Sequence, residues 1–135
     1  LKMKGDIQTV ISGSFRKHYG DLLHLKNALE GIGIIVLSPA GTAVVNPTDE
    51  FAILDTDPVT NCKMLQDSVF AKIRASTFLT LANVDGYIGK AALLEVGYAI
   101  ACGLDVYTLE EVEDPNISPY CTPLTSIFPE IFQEV

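Results

Sequence analysis

Thr77-Phe-Leu-Thr-Leu-Ala82, Asn83-Val-Asp-Gly-Tyr-Ile-Gly89, Lys90-Ala-Ala-Leu-Leu-Glu95-Val-Gly-Tyr-Ala-Ile-Ala-Cys102, Gly103 and Asp105-Val-Tyr-Thr-Leu109 decide the fold. They read as a strand, a glycine-bearing loop, a helix closed by a glycine, and a second strand. Short apolar strands on either side of a helix are the unit of a parallel sheet covered on both faces. The helix is apolar all round except for Glu95, and such helices sit in the core.

Outward from that unit the same alternation repeats. Residues 7–12 read as a strand ending at Gly13. Residues 19–31 read as a helix with the stripe Leu22, Leu25, Leu29 and Ile32, stopped by Gly31 and Gly33. Residues 34–37 are a short apolar strand that stops at Ser38-Pro39. Residues 62–75 are a helix with Met64, Leu65, Val69 and Ile73 on its apolar side. Residues 40–61, with Pro47 and Pro58, form an excursion with one short strand or turn at 50–54. Long insertions of this kind serve as lids or pocket walls. The tail is proline-broken, with a short helix at 127–133. The pattern predicts one α/β domain over residues 1–135: a three-layer α/β/α, Rossmann-like (flavodoxin-type) domain with a mainly parallel sheet.

In such a sheet ligands sit beyond the carboxyl ends of the strands, where the strand order reverses. The loops expected to meet there are residues 13–18 and 83–90. Both lead into helices, whose N-terminal amides favour anions.

Glu95 demands a reason. A buried polar group without partners costs roughly 2–7 kcal/mol, and a charge more. Its helical neighbours Ala91, Ala92 and Ala99 leave space over the carboxylate. Gly97 would let another element approach, and Tyr98 can offer a hydroxyl. A small-walled cleft floored by one carboxylate suits a small polar ligand. The alternative is a solvated glutamate on the helix surface.

Composition narrows the function. The chain has 135 residues, 48% apolar and 19% charged, with a net charge of −8. Residues 91–135 hold eight acids and no Lys or Arg. Nucleic-acid polymers need a basic footprint that this chain lacks, so none is expected as a partner. Arg16, Lys17 and His18 still cluster where a small anion could bind. The acidic run from Glu110 to Asp114 reads as a solvated loop. No apolar run reaches the ~18–20 residues of a membrane span. The opening residues do not have the pattern of a signal sequence, so none is expected. The cysteines, Cys62, Cys102 and Cys121, form no C-x-x-C, which predicts free thiols in a reducing cytoplasm and no zinc site. His18 and His24 do not share a helical face, so no metal pair is expected.

The first loop, Ser12-Gly13-Ser14-Phe15-Arg16-Lys17-His18, combines close backbone approach, a hydroxyl and a guanidinium fork, which suits a phosphate or a sugar hydroxyl. It has neither the G-x-G-x-x-G glycines nor a P-loop lysine. An ordinary strand-to-helix turn with exposed basic residues is the plain alternative.

With the second motif, Gly86-Tyr-Ile-Gly89-Lys-Ala-Ala-Leu-Leu-Glu95-Val-Gly-Tyr98-Ala, the chain resembles the nucleoside 2-deoxyribosyltransferase family and its relatives, the nucleoside 5′-monophosphate N-glycosidases. That resemblance spans about residues 7–107. It implies that Glu95 is a nucleophile, and that Gly13, Ser14 and Arg16 match the Gly-Ser-x-Arg that holds a 5′-phosphate. The family's second acid would fall on Val69. Asp67, the nearest acid, is two residues or about 200° round a helix from it. Gly89 stands where transferases carry a loop Asp, with Asp85 earlier in the loop. Asp67 and Asp85 are therefore the candidate proton donors, with Asp67 first.

Tyr87 and Tyr98 could stack on a base or orient Glu95; half-buried packing is the plainer role for each. Together Gly13, Ser14, Arg16, Tyr87, Gly89 and Tyr98 are the expected substrate-binding set. The implied activity is cleavage or exchange at the N-glycosidic bond of a nucleoside or nucleoside 5′-monophosphate, without metal or organic cofactor. The rival reading is a non-catalytic nucleotide-binding module of the same fold. A flavodoxin-like partner-binding domain is a third. A homodimer or larger homo-oligomer is expected, from the resemblance and from the apolar tail at residues 117–135.

Overall fold

Five strands form one sheet in the order β2-β1-β3-β4-β5, and every pair is parallel. The computed structural model describes residues 7–40 and 61–132. Within them, β1 (Gln8–Gly13), α1 (Phe15–Gly31), β2 (Ile35–Ser38), α2 (Cys62–Arg74), β3 (Phe78–Ala82), α3 (Lys90–Ala101), β4 (Asp105–Thr108), β5 (Cys121–Pro123) and α4 (Leu124–Ile127) follow in chain order. The expected Rossmann-like α/β class is found, with the flavodoxin-type strand order. Residues 41–60 of the excursion, with the expected short strand or turn at 50–54, lie outside the described residues.

The chain steps from β1 to β2 in one direction and from β2 over β1 to β3 in the other. With right-handed crossovers, that reversal sends α1 to one face and α2 and α3 to the other. Alternate strand residues then feed two cores. Val10, Leu79, Leu81 and Val106 pack with Ile73 of α2 and Ala92, Val96 and Ala99 of α3. Ile11, Phe78 and Ala82 pack with Leu22, Leu25 and Leu29 of α1 and Leu124 of α4. Each fully buried Leu or Ile contributes roughly 1.5–3 kcal/mol. All five residues of β3 are buried, as a strand covered on both faces requires.

Local chemistry sets the ends. The Ser14 side chain caps α1 by accepting from the Lys17 amide at 3.1 Å. This starts the helix four residues before the expected Tyr19. His18 then departs from helical angles (φ −133, ψ 32), which interrupts the helix between Phe15 and the Leu22, Leu25 and Leu29 stripe, although Phe15 packs on the same core. The Asn61 side chain caps α2 through the Met64 amide at 3.0 Å. Gly103, at φ +78, ends α3 in the left-handed conformation glycine tolerates. The Leu104 amide there reaches back to the Ala99 carbonyl at 3.0 Å.

Three expectations need correction. α3 is not buried all round: Leu93 and Leu94 are 48% and 56% exposed, while Glu95 is 8% exposed on the inner side with Ala92, Val96 and Ala99. Hydropathy alone could not tell which apolar side faced the sheet. Nothing among the described residues lies within 4 Å of a Cβ built on Gly97, so Gly97 admits no neighbouring element there. The tail contains β5 and α4 in place of a helix at 127–133, with a 3₁₀ turn at Pro129–Phe132. Pro123 is tolerated because β5 is an edge strand. Leu124 is fully buried and Phe128 packs on Phe78 at 5.7 Å between ring centres, so much of the tail's apolar surface is used within the chain.

Candidate functional site

β1 and β3 run side by side to Gly13 and Ala82, at the point where the strand order reverses. Ser12 has the facing of Val10, toward α2 and α3. α3 runs back from this edge, and its second turn brings Glu95 over the end of β1. The Ser12 hydroxyl donates to Glu95 Oε1 at 2.5 Å, and the Gln66 amide of α2 donates to Oε2 at 2.8 Å. Three elements therefore meet at one carboxylate. Burial pushes its pKa above the usual carboxylate value, and the Ser12 and Gln66 hydrogen bonds oppose that rise.

The two loops expected to meet do so. Lys17 Nζ lies 4.0 Å over the centre of the Tyr87 ring, and the His18 and Tyr87 ring centres are 6.3 Å apart. Arg16 beside them is exposed and has no ion pair among the described residues. At this edge the Lys17 and His18 amides of α1 donate to the Ser14 hydroxyl and carbonyl. Gly13 has a packing reason for its identity. A Cβ there would lie 3.0 Å from the Ala82 carbonyl oxygen and 3.2 Å from Leu22 Cδ1. Ser14 likewise has a structural task as the cap.

Other expected residues are placed elsewhere. Asp67 is exposed and bonds Lys63 Nζ at 2.7 Å. One helical position separates it from Gln66, which takes the inward direction. Asp85 is exposed in the 3₁₀ turn Val84–Gly86, at φ +56, and its amide donates to Glu110 Oε2 at 2.7 Å. Neither acid is among the hydrogen-bond partners of Glu95. Tyr98, a turn further along α3, is carried away from the strand ends; it stacks on Phe70 at 4.5 Å between ring centres, and its hydroxyl accepts from Arg74. The hydroxyl expected of Tyr98 is thus supplied by Ser12. Gly89 precedes α3 as its N-cap, and a Cβ on it would make only ordinary contact with Tyr87 at 3.5 Å.

Ser12 and Gln66 did not stand out in the sequence. Their signal was polarity at inward-facing positions: the last residues of an apolar strand, and a neighbour of Leu65 and Ile73 on α2. Asn83 opens the glycine-bearing loop after β3. It is 1% exposed, and its side chain makes two hydrogen bonds to the Glu110 backbone, accepting at 2.9 Å and donating at 3.0 Å. This clamp ties the loop after β3 to the end of β4. Asn83→Ala is expected to cost about 1–3 kcal/mol, because the carboxamide's partners lose their hydrogen bonds. Urea unfolding of the variant measures the loss.

A cavity of about 560 Å³ lies on the β4 side of that loop, between Asp85, Leu93 and the 110–114 segment. Glu95, Ser12 and Gln66 do not line it. Its acids, Asp85, Glu110, Glu111, Glu113 and Asp114, repel an anionic ligand. Among the described residues no group of three or more His, Cys, Asp or Glu could hold a metal ion, and no helix is long and apolar enough to cross a membrane. All three cysteines are free.

No family model, curated protein or solved structure matches this chain.

Proposed function

We propose that the domain binds a nucleoside 5′-monophosphate, or a nucleoside, at the carboxyl edge of β1 and β3 and cleaves its N-glycosidic bond through Glu95. The observation that carries this reading is a buried, doubly hydrogen-bonded carboxylate at the switch point of the sheet. Exposed Arg16 and the N-terminus of α1 share that edge, which suits a phosphate. The resemblance of the Glu95 helix and of the Gly13–Ser14–Arg16 loop to deoxyribosyltransferases and N-glycosidases points the same way.

In this reading a Glu95 oxygen attacks C1′ as the bond to the base nitrogen breaks. The bonding pair leaves with the base, which takes a proton from solvent water. Water then adds to C1′, the ester bond to Glu95 breaks, and the carboxylate returns as water loses a proton. Ser12 and Gln66 hold the carboxylate through both steps. Tyr87, with Lys17 against its ring, borders the site where its face could meet a base.

A second reading is favoured by the positions of Asp67 and Asp85. With Lys63 holding Asp67 in solvent and Asp85 on the Glu110 side of its loop, neither protonates a base beside Glu95. A nucleotide-binding module without turnover uses the same pocket and needs no acid. Incubation with nucleosides and nucleoside 5′-monophosphates, with free base measured by chromatography and binding by calorimetry, separates the two. Base release supports the enzyme. Tight binding without release supports the module, and neither result removes both.

We also propose a homo-oligomer. Two observations support it: α3 exposes Leu93 and Leu94 on its outer side, and the tail keeps Tyr120, Ile127 and Phe132 exposed. Light scattering at micromolar concentration is expected to give at least twice the chain mass of 14.6 kDa, and a monomeric mass contradicts it.

A further inference from the structure

We infer that Ser12 and Gln66 are positioning residues, two uncharged donors on separate elements that aim the Glu95 carboxylate and replace the cation such a buried acid would otherwise require. The inference deepens the glycosidase reading and rests on it for its catalytic meaning. Its geometric basis is independent of turnover.

Each oxygen of Glu95 takes one donor, Oε1 from the end of β1 and Oε2 from α2. Two anchors on different elements fix both the position and the plane of a carboxylate, which one anchor cannot do. Each oxygen keeps a second lone-pair direction for substrate.

No charged neighbour among the described residues shares this task. On α2, Lys63 and Asp67 bond each other in solvent, and Arg74 lies against Tyr98. Lys72 is further along the same helix, part-buried. On α3, Lys90 is exposed at the first position. In the first turns of α1, Lys17 sits on Tyr87 and His18 faces Asp21 at 3.7 Å. β1 contributes only Ser12. Burial favours the protonated acid, and the two donors are what favour the anion.

Replacing a donor therefore shifts Glu95 toward its protonated form. Ser12→Ala removes one oxygen atom, and Gln66→Met keeps the length of a half-buried side chain, so both retain the fold. Gln66→Glu places a second carboxyl against the first, and the two then share a proton.

The test is a carbon-13 NMR pH titration of the Glu95 carboxyl in the whole unliganded chain, with its resonance assigned by loss in Glu95→Gln. The titration midpoint is expected to rise in Ser12→Ala and Gln66→Met, and the first proton of the Gln66→Glu pair to be held more tightly still. Where base release is present, its acidic limb moves to higher pH with the midpoint. At mildly acidic pH the rate then falls roughly ten- to a hundredfold, as for the loss of one charge-assisted hydrogen bond. The loss shrinks as pH rises.

A midpoint unmoved in folded Ser12→Ala and Gln66→Met overturns the inference, even if both melt at lower temperature. A raised midpoint in a protein that releases no base supports the inference and removes the glycosidase reading. Base release with an unmoved midpoint does the reverse.

Discussion

Glu95→Gln is expected to abolish base release, by on the order of 10⁴-fold or more, while making the folded domain more stable at neutral pH. The amide cannot form the glycosyl ester, so the first step is lost. Its shape is that of the acid, and both neighbours adapt: the Ser12 hydroxyl donates to the new amide oxygen, and the Gln66 carboxamide flips to accept from the new amide nitrogen. The stability gain follows from the raised pKa of Glu95, whose first cause is burial. The folded state holds the proton more tightly than the unfolded chain, where the group titrates near 4.5. The corresponding stabilisation is complete below that value and is lost as pH rises through the folded pKa. The variant suffers no such loss. Thermal melts should therefore show the variant above the parent at neutral pH, with the gap closing in acid. A folded Glu95→Gln protein that still releases base would sink the nucleophile assignment. A parent more stable than the variant at neutral pH would remove the account of burial.

Arg16→Ala is expected to weaken nucleoside 5′-monophosphate binding roughly ten- to a hundredfold and to leave nucleoside binding nearly unchanged. A hydrogen bond to a charged group contributes about 1.5–3 kcal/mol, which converts to that range. Arg16 suits the role because it is exposed in the first turn of α1 and unpaired among the described residues. Lys17, the neighbouring cation, is turned onto Tyr87 and is the weaker candidate. Ser14 already caps the helix, so Ser14→Ala would confound phosphate binding with helix stability. Arg16→Ala avoids that difficulty. Calorimetry with matched nucleoside and monophosphate is the measurement, repeated at higher salt. Equal losses for both ligands would take the phosphate role away from Arg16.

The acid that would complete a glycosidase shows how a one-residue difference on a helix defeats a reading by eye. Asp67 was the nearest carboxylate to the required register. Gln66, its neighbour, is the residue that turns inward, because about 100° separates successive helical positions. Asp85 was close in sequence to the Glu95 helix, yet its loop folds toward Glu110 under the Asn83 clamp. The apolar tail is divided between two roles: Leu124 and Phe128 complete the α1 side of the sheet, while Tyr120, Ile127 and Phe132 stay exposed.

By itself the sequence determined the α/β class, the places of the first four strands and three long helices, the meeting of the two loops and the singularity of Glu95. These follow from periodicity, glycine stops and hydropathy, which act over a few residues. Only the tertiary structure decided the fifth strand, the inward side of α3, the partners of Glu95 and the exclusion of Asp67 and Asp85 from them. Those depend on which residues distant in the chain converge. Ser12 is 83 residues from Glu95 in sequence, and no local pattern carries a hydrogen bond between them.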